Sequence, residues 1–447
     1  MIQREALEKL TDWKSQENRK PLVIRGPRQV GKSTLVKEFS KKFDHFISLN
    51  LDLAEHKRYF TQNRSLKDVL SYILFDFEVP KKSEVLIFLD EIQEEPEAIE
   101  QLRYFYEEFP QYHVIAAGSL LETLTNPEIH FPVGRVEYMV LRPVSFAEYL
   151  ESEASEMINE AYQSIPVKKE AYNKLLNYFH DYTLLGGMPE VLSNYIQHKD
   201  IVRCNKIFDN LLTSYLDDVE KYAGSKTEQQ VIRHCIRSVF YEANNRITFQ
   251  GFGKSNCKSR EVGEALRSLE KAMLIHLVYP NTEIKPPLLP DHKRKPRLQL
   301  FDTGIMNYYA QLQRKLMGSD DLSDAYQGKV IEHIVGQEIL STKTQSHHGL
   351  QFWVRDKKGS SAEIDFLIQI REHIIPVEVK SGKAGKLKSL HQYMEISSAP
   401  VAVRLYAGEM TEQEVKTPSG KTFTLLSLPY YLAGKLDQYV EWWLNKN

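Results

Sequence analysis

The stretch Gly26-Pro-Arg-Gln-Val-Gly-Lys-Ser-Thr34 holds two glycines separated by four residues and followed at once by a lysine and a serine. The apolar run Pro21-Leu-Val-Ile-Arg25 precedes it and an amphipathic stretch follows, which predicts a strand, a tight loop and a helix. Glycines let a backbone turn its N–H groups inward around phosphates, and the lysine and serine suit phosphate and Mg²⁺. A merely flexible glycine turn would need neither the strand nor the helix. The stretch therefore predicts a phosphate-binding loop within an α/β fold.

Nucleotide contacts are expected from every residue of this loop. They are Gly26, Pro27, Arg28, Gln29, Val30, Gly31, Lys32, Ser33 and Thr34. The helix after the loop points its positive N-terminal end at the same anion, and the Ser33 hydroxyl is the expected Mg²⁺ ligand. The loop thus predicts ATP and Mg²⁺ as cofactors.

The run Leu86-Ile-Phe-Leu-Asp90-Glu91 is an apolar strand that ends in two acids. In phosphate-loop ATPases a strand of this kind delivers an acid to the Mg²⁺ ion. We expect Asp90 to hold the metal through water and Glu91 to polarise the attacking water. Taken alone, the run would be an ordinary strand end with solvated acids. The phosphate loop upstream favours the catalytic interpretation.

Two further residues are candidates for the same reaction. Ser119 follows the predicted strand Val114–Gly118, where a polar side chain can reach the γ-phosphate or position the water. Arg135 precedes another strand and is a candidate arginine finger that would act across a subunit boundary in a homo-oligomer. An ordinary surface arginine in a loop explains that position equally well.

The pattern of apolar and amphipathic segments divides the chain into four parts. Residues 21–140 alternate short apolar runs with helical stretches, which predicts a doubly wound sheet of parallel strands. Successive helices follow, and then helices that lead into a strand, as in a winged-helix module. A new α/β unit begins after a polar, linker-like segment. The predicted boundaries are 1–150 for the ATPase core, 151–225 for a helical lid region, 226–312 for the winged-helix-like module and 313–447 for the C-terminal unit.

Composition limits the class of protein. The 447 residues carry a formal net charge of −2, which gives no global attraction for nucleic acid but can hide local basic segments. No apolar run is long enough to span a membrane, and the N-terminal residues lack the apolar core of a secretory signal. Cys204, Cys235 and Cys257 fit neither a disulfide framework nor a zinc site. We expect a cytoplasmic protein with no membrane partner.

Phrases along nearly the whole chain resemble those of the AAA-type ATPases of bacteria and archaea that carry a C-terminal domain of unknown function. They are GPRQVGKST (26–34), LIFLDEIQ (86–93), AAGSLLETL (116–124), PVGRVEYMVLRPVSFAEYL (132–150), GGMPE (186–190), LQLFDTGIMNYYA (298–310) and GKVIEHIVGQEIL (328–340). The resemblance implies an AAA+ core, a helical and winged-helix middle, and a C-terminal restriction-endonuclease-like α/β domain of the PD-(D/E)xK type. It implies no particular biological task.

The residues of the C-terminal unit test that implication. Nucleases of this type place an acid on one strand and Glu-x-Lys on the next, so that two acids hold Mg²⁺ and the lysine activates water. Here Asp365 belongs to one predicted strand, and Glu378 and Lys380 share one face of the next. Glu-x-Lys alone is weak evidence, since it also begins at Glu55, Glu283 and Glu414. The order of the surrounding elements favours the triplet at 378.

Two residues on the flanking helices complete the predicted metal site. Glu332 is a third candidate ligand, and Gln392 could steady the metal-bound water or the lysine. The first strand has Glu-Ile-Asp in place of the usual Pro-Asp. A surface hairpin with exposed charges is one alternative interpretation. A nuclease-derived fold that binds without cutting is another.

Two basic segments favour DNA as a partner. One holds Lys285, Lys293, Arg294, Lys295 and Arg297, where a winged helix would contact phosphates, and the other is Lys380–Lys388. We therefore expect an ATPase coupled to a DNA-binding or metal-dependent DNA-nuclease domain. The alternatives are an ATP-driven signalling or scaffold protein that binds without cutting, and a small-molecule kinase. The Asp90-Glu91 pair and the long C-terminal half argue against the kinase.

Overall fold

The structure of the chain is a computed structural model that describes residues 2–61, 64–118, 132, 134–218, 223–313, 328–345, 349–357, 359–380 and 387–446. Its α-helices are α1 (Ala6–Lys14), α2 (Lys32–Phe39), α3 (Ala54–Lys57), α4 (Leu66–Asp76), α5 (Pro96–Glu108), α6 (Phe146–Glu153), α7 (Glu156–Gln163), α8 (Tyr172–Leu185), α9 (Pro189–His198), α10 (Ile201–Asp217), α11 (Lys226–Glu242), α12 (Ser259–Lys271), α13 (Thr303–Tyr309), α14 (Lys329–Ser341), α15 (Lys388–Ile396) and α16 (Leu436–Lys446).

The strands run from the N-terminal sheet to the C-terminal one. They are β1 (Leu22–Arg25), β2 (His45–Asn50), β3 (Val85–Asp90), β4 (His113–Gly118), β5 (Glu137–Val140), β6 (Ile275–Val278), β7 (Pro280–Asn281), β8 (Arg297–Leu300), β9 (Phe352–Val354), β10 (Glu363–Ile364), β11 (Phe366–Ile370), β12 (His373–Val379), β13 (Val401–Tyr406), β14 (Thr411–Lys416) and β15 (Thr422–Pro429). None of the helices in these described ranges is long and apolar enough to cross a membrane.

The N-terminal sheet has the strand order β2-β3-β4-β1-β5, and every pair in it is parallel. Its strands form from the short apolar runs, and all six residues of β4 are buried, as expected for a sheet covered on both faces. Helices α1 and α2 pack on one face and α4 and α5 on the other. The predicted parallel α/β sheet is therefore confirmed.

The middle of the chain is helical as far as α12, after which β6 and β8 pair as antiparallel strands. The short strand β7 pairs with β9, which lies beyond the predicted boundary at residues 312 and 313. One apolar core extends from α6 through these strands to α16. The four predicted domain boundaries stay predictions.

The C-terminal sheet has the order β11-β12-β13-β15-β14. Strands β11 and β12 form an antiparallel hairpin that turns at Arg371 and Glu372. The apolar run Val401–Tyr406 forms β13, and two further strands, β14 and β15, follow it. Strand β14 is a polar and largely exposed edge strand, so no apolar run marks it in the sequence.

Helix α14 joins the N-terminal sheet to the C-terminal unit. The Val140 amide, at the end of β5, donates to the Thr344 carbonyl just beyond α14 (2.9 Å). Glu338 of α14 is fully enclosed, and its Oε1 accepts from the Phe146 amide (3.1 Å) and the Tyr182 hydroxyl (2.8 Å). Burial raises the pKa of Glu338 to about 8. The helix that carries Glu332 is thereby hydrogen-bonded to the segment that follows the first sheet.

Candidate functional site

A cleft with a volume of 1220 Å³ lies at the carboxyl end of the N-terminal sheet. Of the nine predicted loop residues, six line it: Arg28, Gln29, Gly31, Lys32, Ser33 and Thr34. Asp90 and Glu91, at the end of β3, line the same cleft. The structure thus brings the glycine loop and the acidic strand end together, although 56 residues of sequence separate Thr34 from Glu91.

The loop is shaped to hold a buried cation. Gly31 has φ +95°, a left-handed conformation that favours glycine, and it caps the N-terminus of α2. The Lys32 ammonium donates to the carbonyls of Gly26 and Pro27, both at 2.9 Å. Burial lowers the pKa of Lys32 to about 8, against the opposing effect of Glu91 and Asp90. The Val30 side chain lies in the sheet's core, so only its backbone remains available to a nucleotide.

Ser33 and Asp90 meet in the cleft. Ser33 Oγ donates to Asp90 Oδ2 at 2.6 Å. Burial raises the pKa of Asp90, while the bond from Ser33 lowers it. A hydroxyl and a carboxylate are the oxygen donors that Mg²⁺ prefers, so this pair fits the expected metal.

The orientation of Glu91 depends on a residue that the sequence did not single out. Gln93 Nε2 donates to Glu91 Oε2 at 2.6 Å. Glu91 itself has φ +51°, an uncommon conformation for a residue other than glycine. Its carboxylate is therefore held at the rim of the cleft by its neighbour two residues along.

Distant segments also support the loop. Arg4 donates to the Val30 carbonyl (3.1 Å) and to the Arg142 carbonyl (2.7 Å), which ties the N-terminal segment to the loop. The Arg28 guanidinium lies 2.8 Å from the carboxylate of Asp218, at the end of α10. The Gly-Gly-Met-Pro-Glu turn adds Pro189 and Glu190 to the wall of the cleft. That turn is one of the phrases that carry the family resemblance, but the sequence alone predicts no role for it.

Of the two further candidates for the ATPase reaction, the structure describes only Arg135. Ser119 falls outside the described residues. Arg135 Nε donates to Glu107 Oε1 at 2.8 Å, and Arg135 is not among the residues that line the cleft. Within one chain this arginine is paired on the surface, so a catalytic part for it stays a prediction.

The second predicted site forms at the β11–β12 hairpin. Because Phe366 pairs with Val377, the register places Asp365 opposite Glu378. Asp365 Oδ2 accepts from the Val379 amide (2.7 Å), and Lys380 Nζ donates to Glu378 Oε1 (2.5 Å). Glu378 Oε2 is buried and has no hydrogen-bond partner among the described residues. The hairpin thus holds two facing carboxylates with one oxygen free.

Glu332 and Arg297 complete this carboxylate cluster. Burial raises the pKa of Glu332, of Asp365 and of Glu378, and the Asp365 carboxylate raises the pKa of the other two further. Asn244 donates to Glu332, and Arg297 Nη2 donates to the Asp365 carbonyl (2.5 Å). Burial alone would lower the pKa of Lys380, but Glu378 and its neighbours raise it overall.

Arg297 corrects one prediction about the basic segments. Arg297 does not belong to an exposed basic loop. It is the first residue of β8, and its side chain is only 3% exposed. Its guanidinium lies between the rings of Phe352 (4.7 Å) and Phe366 (4.8 Å). These rings come from distant segments, so the local Lys-Arg-Lys-Pro-Arg pattern gave no sign of the burial. Of the second basic segment, residues 381–386 lie outside the described residues.

Gln392 lies on α15, the helix that follows the hairpin. Its Oε1 accepts from Arg355 Nη1 at 3.0 Å, so its amide is directed at that arginine. In the described parts of the chain, no three His, Cys, Asp or Glu side chains are grouped to enclose a metal ion. The facing pair of Asp365 and Glu378 still fits Mg²⁺, which is often bound by one or two carboxylates with water.

Comparisons with known proteins support the assignment of the N-terminal core and assign no function to the rest of the chain. Residues 18–150 match the family model of an AAA domain, whereas residues 176–316 and 327–431 match two domains of unknown function (DUF8612 and DUF4143). No curated protein matches the chain. The chain therefore has an AAA-type, ATPase-like core followed by domains whose function the comparisons do not assign.

Three solved structures are similar to the chain at low sequence identity. A Walker-type ATPase of Pyrococcus abyssi is 15% identical, with 69% of this chain and 96% of that chain covered and a TM-score of 0.45. The RuvB Holliday junction branch migration motor of Thermotoga maritima is 15% identical (65% and 93% covered, TM-score 0.29). The Orc1 protein of Aeropyrum pernix in complex with DNA is 12% identical (70% and 93% covered, TM-score 0.28).

Proposed function

We propose that the chain binds and hydrolyses ATP in the cleft around Lys32 and couples this reaction to a metal-dependent, DNA-cleaving C-terminal unit. The observation that carries the first half is the bond from Ser33 Oγ to Asp90 Oδ2, which joins the phosphate loop to the acidic strand end. The observation that carries the second is the pair of facing carboxylates, Asp365 and Glu378, beside Lys380.

Four residues of the cleft have a chemical part in the proposed hydrolysis. Lys32 neutralises charge on the β- and γ-phosphates, and the amides at the start of α2 bind the same anion. Ser33 directly and Asp90 through water would hold Mg²⁺, which when bound would neutralise charge developing on the phosphates. Glu91, oriented by Gln93, takes up the proton of the attacking water.

Glu91→Gln tests this arrangement. The amide keeps the shape of the side chain and its contact with Gln93 but removes the base, so ATP should still bind. Turnover should fall by about 100-fold, the lower end of what a positioned general base contributes. Nucleotide binding by fluorescence and phosphate release measure the two effects. Glu100→Gln, on the exposed side of α5, is the matched control, and undiminished turnover in Glu91→Gln would remove the assigned part.

The proposed chemistry at the β11–β12 hairpin also depends on a divalent metal ion and an activated water. Asp365 and Glu378 would hold Mg²⁺, and the buried Glu332 of α14 adds negative charge beside them. A bound divalent cation favours the ionised carboxylates, whose pKa values burial otherwise raises. Lys380 would orient or acidify the water that attacks a phosphodiester. The α/β arrangement of this unit supports the PD-(D/E)xK interpretation.

A second candidate function is an ATP-driven signalling or scaffold protein whose C-terminal unit binds without cutting. It is favoured by the absence of a three-ligand metal group among the described side chains and by the ion pair that engages Lys380 with Glu378. In this second candidate function, the cleft around Lys32 binds and hydrolyses ATP as in the first. DNA cleavage by the wild-type chain would exclude this candidate.

The remaining parts of the proposal concern architecture. Helices α11 and α12 followed by the β6–β8 pair support a winged-helix-like module over 226–312, after a helical lid over 151–225. To serve as an arginine finger in a homo-oligomer, Arg135 would have to leave its ion pair with Glu107. It would then contact the phosphates of ATP bound to a neighbouring chain.

A further inference from the structure

A second cavity, of 580 Å³, opens beside the carboxylate cluster at the hairpin loop between β9 and β10. Its wall holds four cations against two carboxylates: Arg246, Arg294, Arg355 and Lys357 against Asp356 and Glu363. We propose that this basic cavity holds the phosphodiester backbone of a nucleic acid. The proposal rests on the proposed function of the C-terminal unit, and it assigns the place where that unit's substrate is held.

The basic cavity lies next to the carboxylate cluster in the chain. Glu363 of β10 lines the cavity and lies two residues before Asp365, which is between β10 and β11. Arg246 Nη1 lies 3.6 Å from one oxygen of Glu363, and Arg297 Nη1 lies 4.0 Å from the other. A backbone phosphate in the cavity would therefore put the neighbouring phosphodiester close to Asp365.

The loop over the cavity presents groups that contact phosphates. The Arg355 amide donates to the Ala362 carbonyl (3.1 Å) and closes the loop, while Gly359 has φ +78° with open space around it. Lys357 is exposed, and its ammonium forms no ion pair with any side chain that the structure describes. Hydroxyls of Ser360 and Ser361 line the same cavity. Lysine, arginine, serine and loop amides are the usual donors to a nucleic-acid backbone.

Some arginines of the cavity form ion pairs with carboxylates. These pairs reduce the attraction of the cavity for a backbone phosphate only slightly. Arg294 contacts Asp291 (3.0 Å) and Asp356, and the Asp356 side chain is 72% exposed. Exposed ion pairs of this kind contribute little and exchange readily for another anion. A solvated surface loop is the ordinary explanation of a charge run. It does not account for the convergence of three arginines from separate segments on one concave site.

Nucleic-acid binding by Lys357 variants tests the proposal. The probes are fluorescently labelled duplex DNA, single-stranded DNA and single-stranded RNA of one sequence, measured by anisotropy in EDTA without ATP. Lys357→Glu should weaken binding at least about 10-fold at low salt, and Lys357→Ala should reduce the slope of log affinity against log salt by about one. Lys67→Glu, an exposed lysine on α4 with the same charge change, is the control, and thermal midpoints check folding.

Each outcome decides the proposal. Weaker binding of all three probes supports a site for any phosphodiester backbone, and weaker binding of one probe supports it and identifies the source. Equal affinity of the Lys357→Glu and Lys67→Glu variants, or no binding by the wild type, overturns it. Because EDTA removes divalent metal and ATP is omitted, failure of the proposed cleavage or hydrolysis would leave this result unaffected.

Discussion

Replacing Lys32 with alanine should abolish ATP binding and turnover. The Lys32 ammonium is buried between two loop carbonyls and is the cation placed to neutralise the β- and γ-phosphates. Charge-assisted bonds to phosphate are strong, and we expect affinity to fall by at least about 100-fold. Equilibrium binding of a fluorescent ATP analogue and steady-state phosphate release measure the two losses.

Lys37→Ala is the matched control for this variant. Lys37 lies on the same helix, α2, but its side chain is exposed and does not line the cleft. Binding and turnover should match the wild type. Full ATPase activity in Lys32→Ala would refute the cleft as the nucleotide site, whereas equal losses in both variants would point to damage to the helix.

Replacing Arg297 with methionine should destabilise the C-terminal unit by about 3–5 kcal/mol. This is the typical cost of removing one partner of a buried ion pair, because the other charge is left uncompensated. Methionine retains apolar contact with Phe352 and Phe366, but Glu332 and Asp365 lose the cation that lowers their pKa values. Urea unfolding followed by tryptophan fluorescence measures the change in the free energy of unfolding.

Two further variants separate charge from packing at this position. Arg297→Lys keeps the charge and should recover part of the lost stability. Arg260→Met removes an arginine of α12 whose side chain is 88% exposed and paired with Glu264, so the unfolding midpoint should stay unchanged. An unchanged midpoint in Arg297→Met would contradict the view that the carboxylate cluster depends on this buried cation.

The cleft proposed to bind ATP could be predicted from the sequence because its parts are local patterns. An apolar run, a glycine loop and a helix lie next to one another in the chain, and β3 ends in its acids. Parallel strands present their carboxyl ends at one edge of the sheet, so the meeting of Ser33 and Asp90 followed from the fold. The facing of Asp365 and Glu378 followed similarly from the hairpin register.

The residues that were missed depend on contacts between distant segments. Arg4 binds the Val30 carbonyl from the first helix region, and Pro189 reaches the cleft from a turn far along the chain. Arg297 is buried by two phenylalanines from the C-terminal unit, although its own neighbours are basic and polar. Sequence periodicity reports which face of an element is buried, but it does not report which element covers that face.

Cleavage of linear, supercoiled and branched DNA is the measurement that tests the coupled-nuclease account most directly. The assay contains Mg²⁺ or Mn²⁺, with and without ATP, and compares the wild type with Asp365→Ala and Lys380→Ala. We expect the wild type to cleave DNA in a metal-dependent reaction, at a rate that ATP changes. Both variants should lose this cleavage. No cleavage by the wild type, with DNA still bound, would contradict the coupled-nuclease account and favour the protein that binds without cutting.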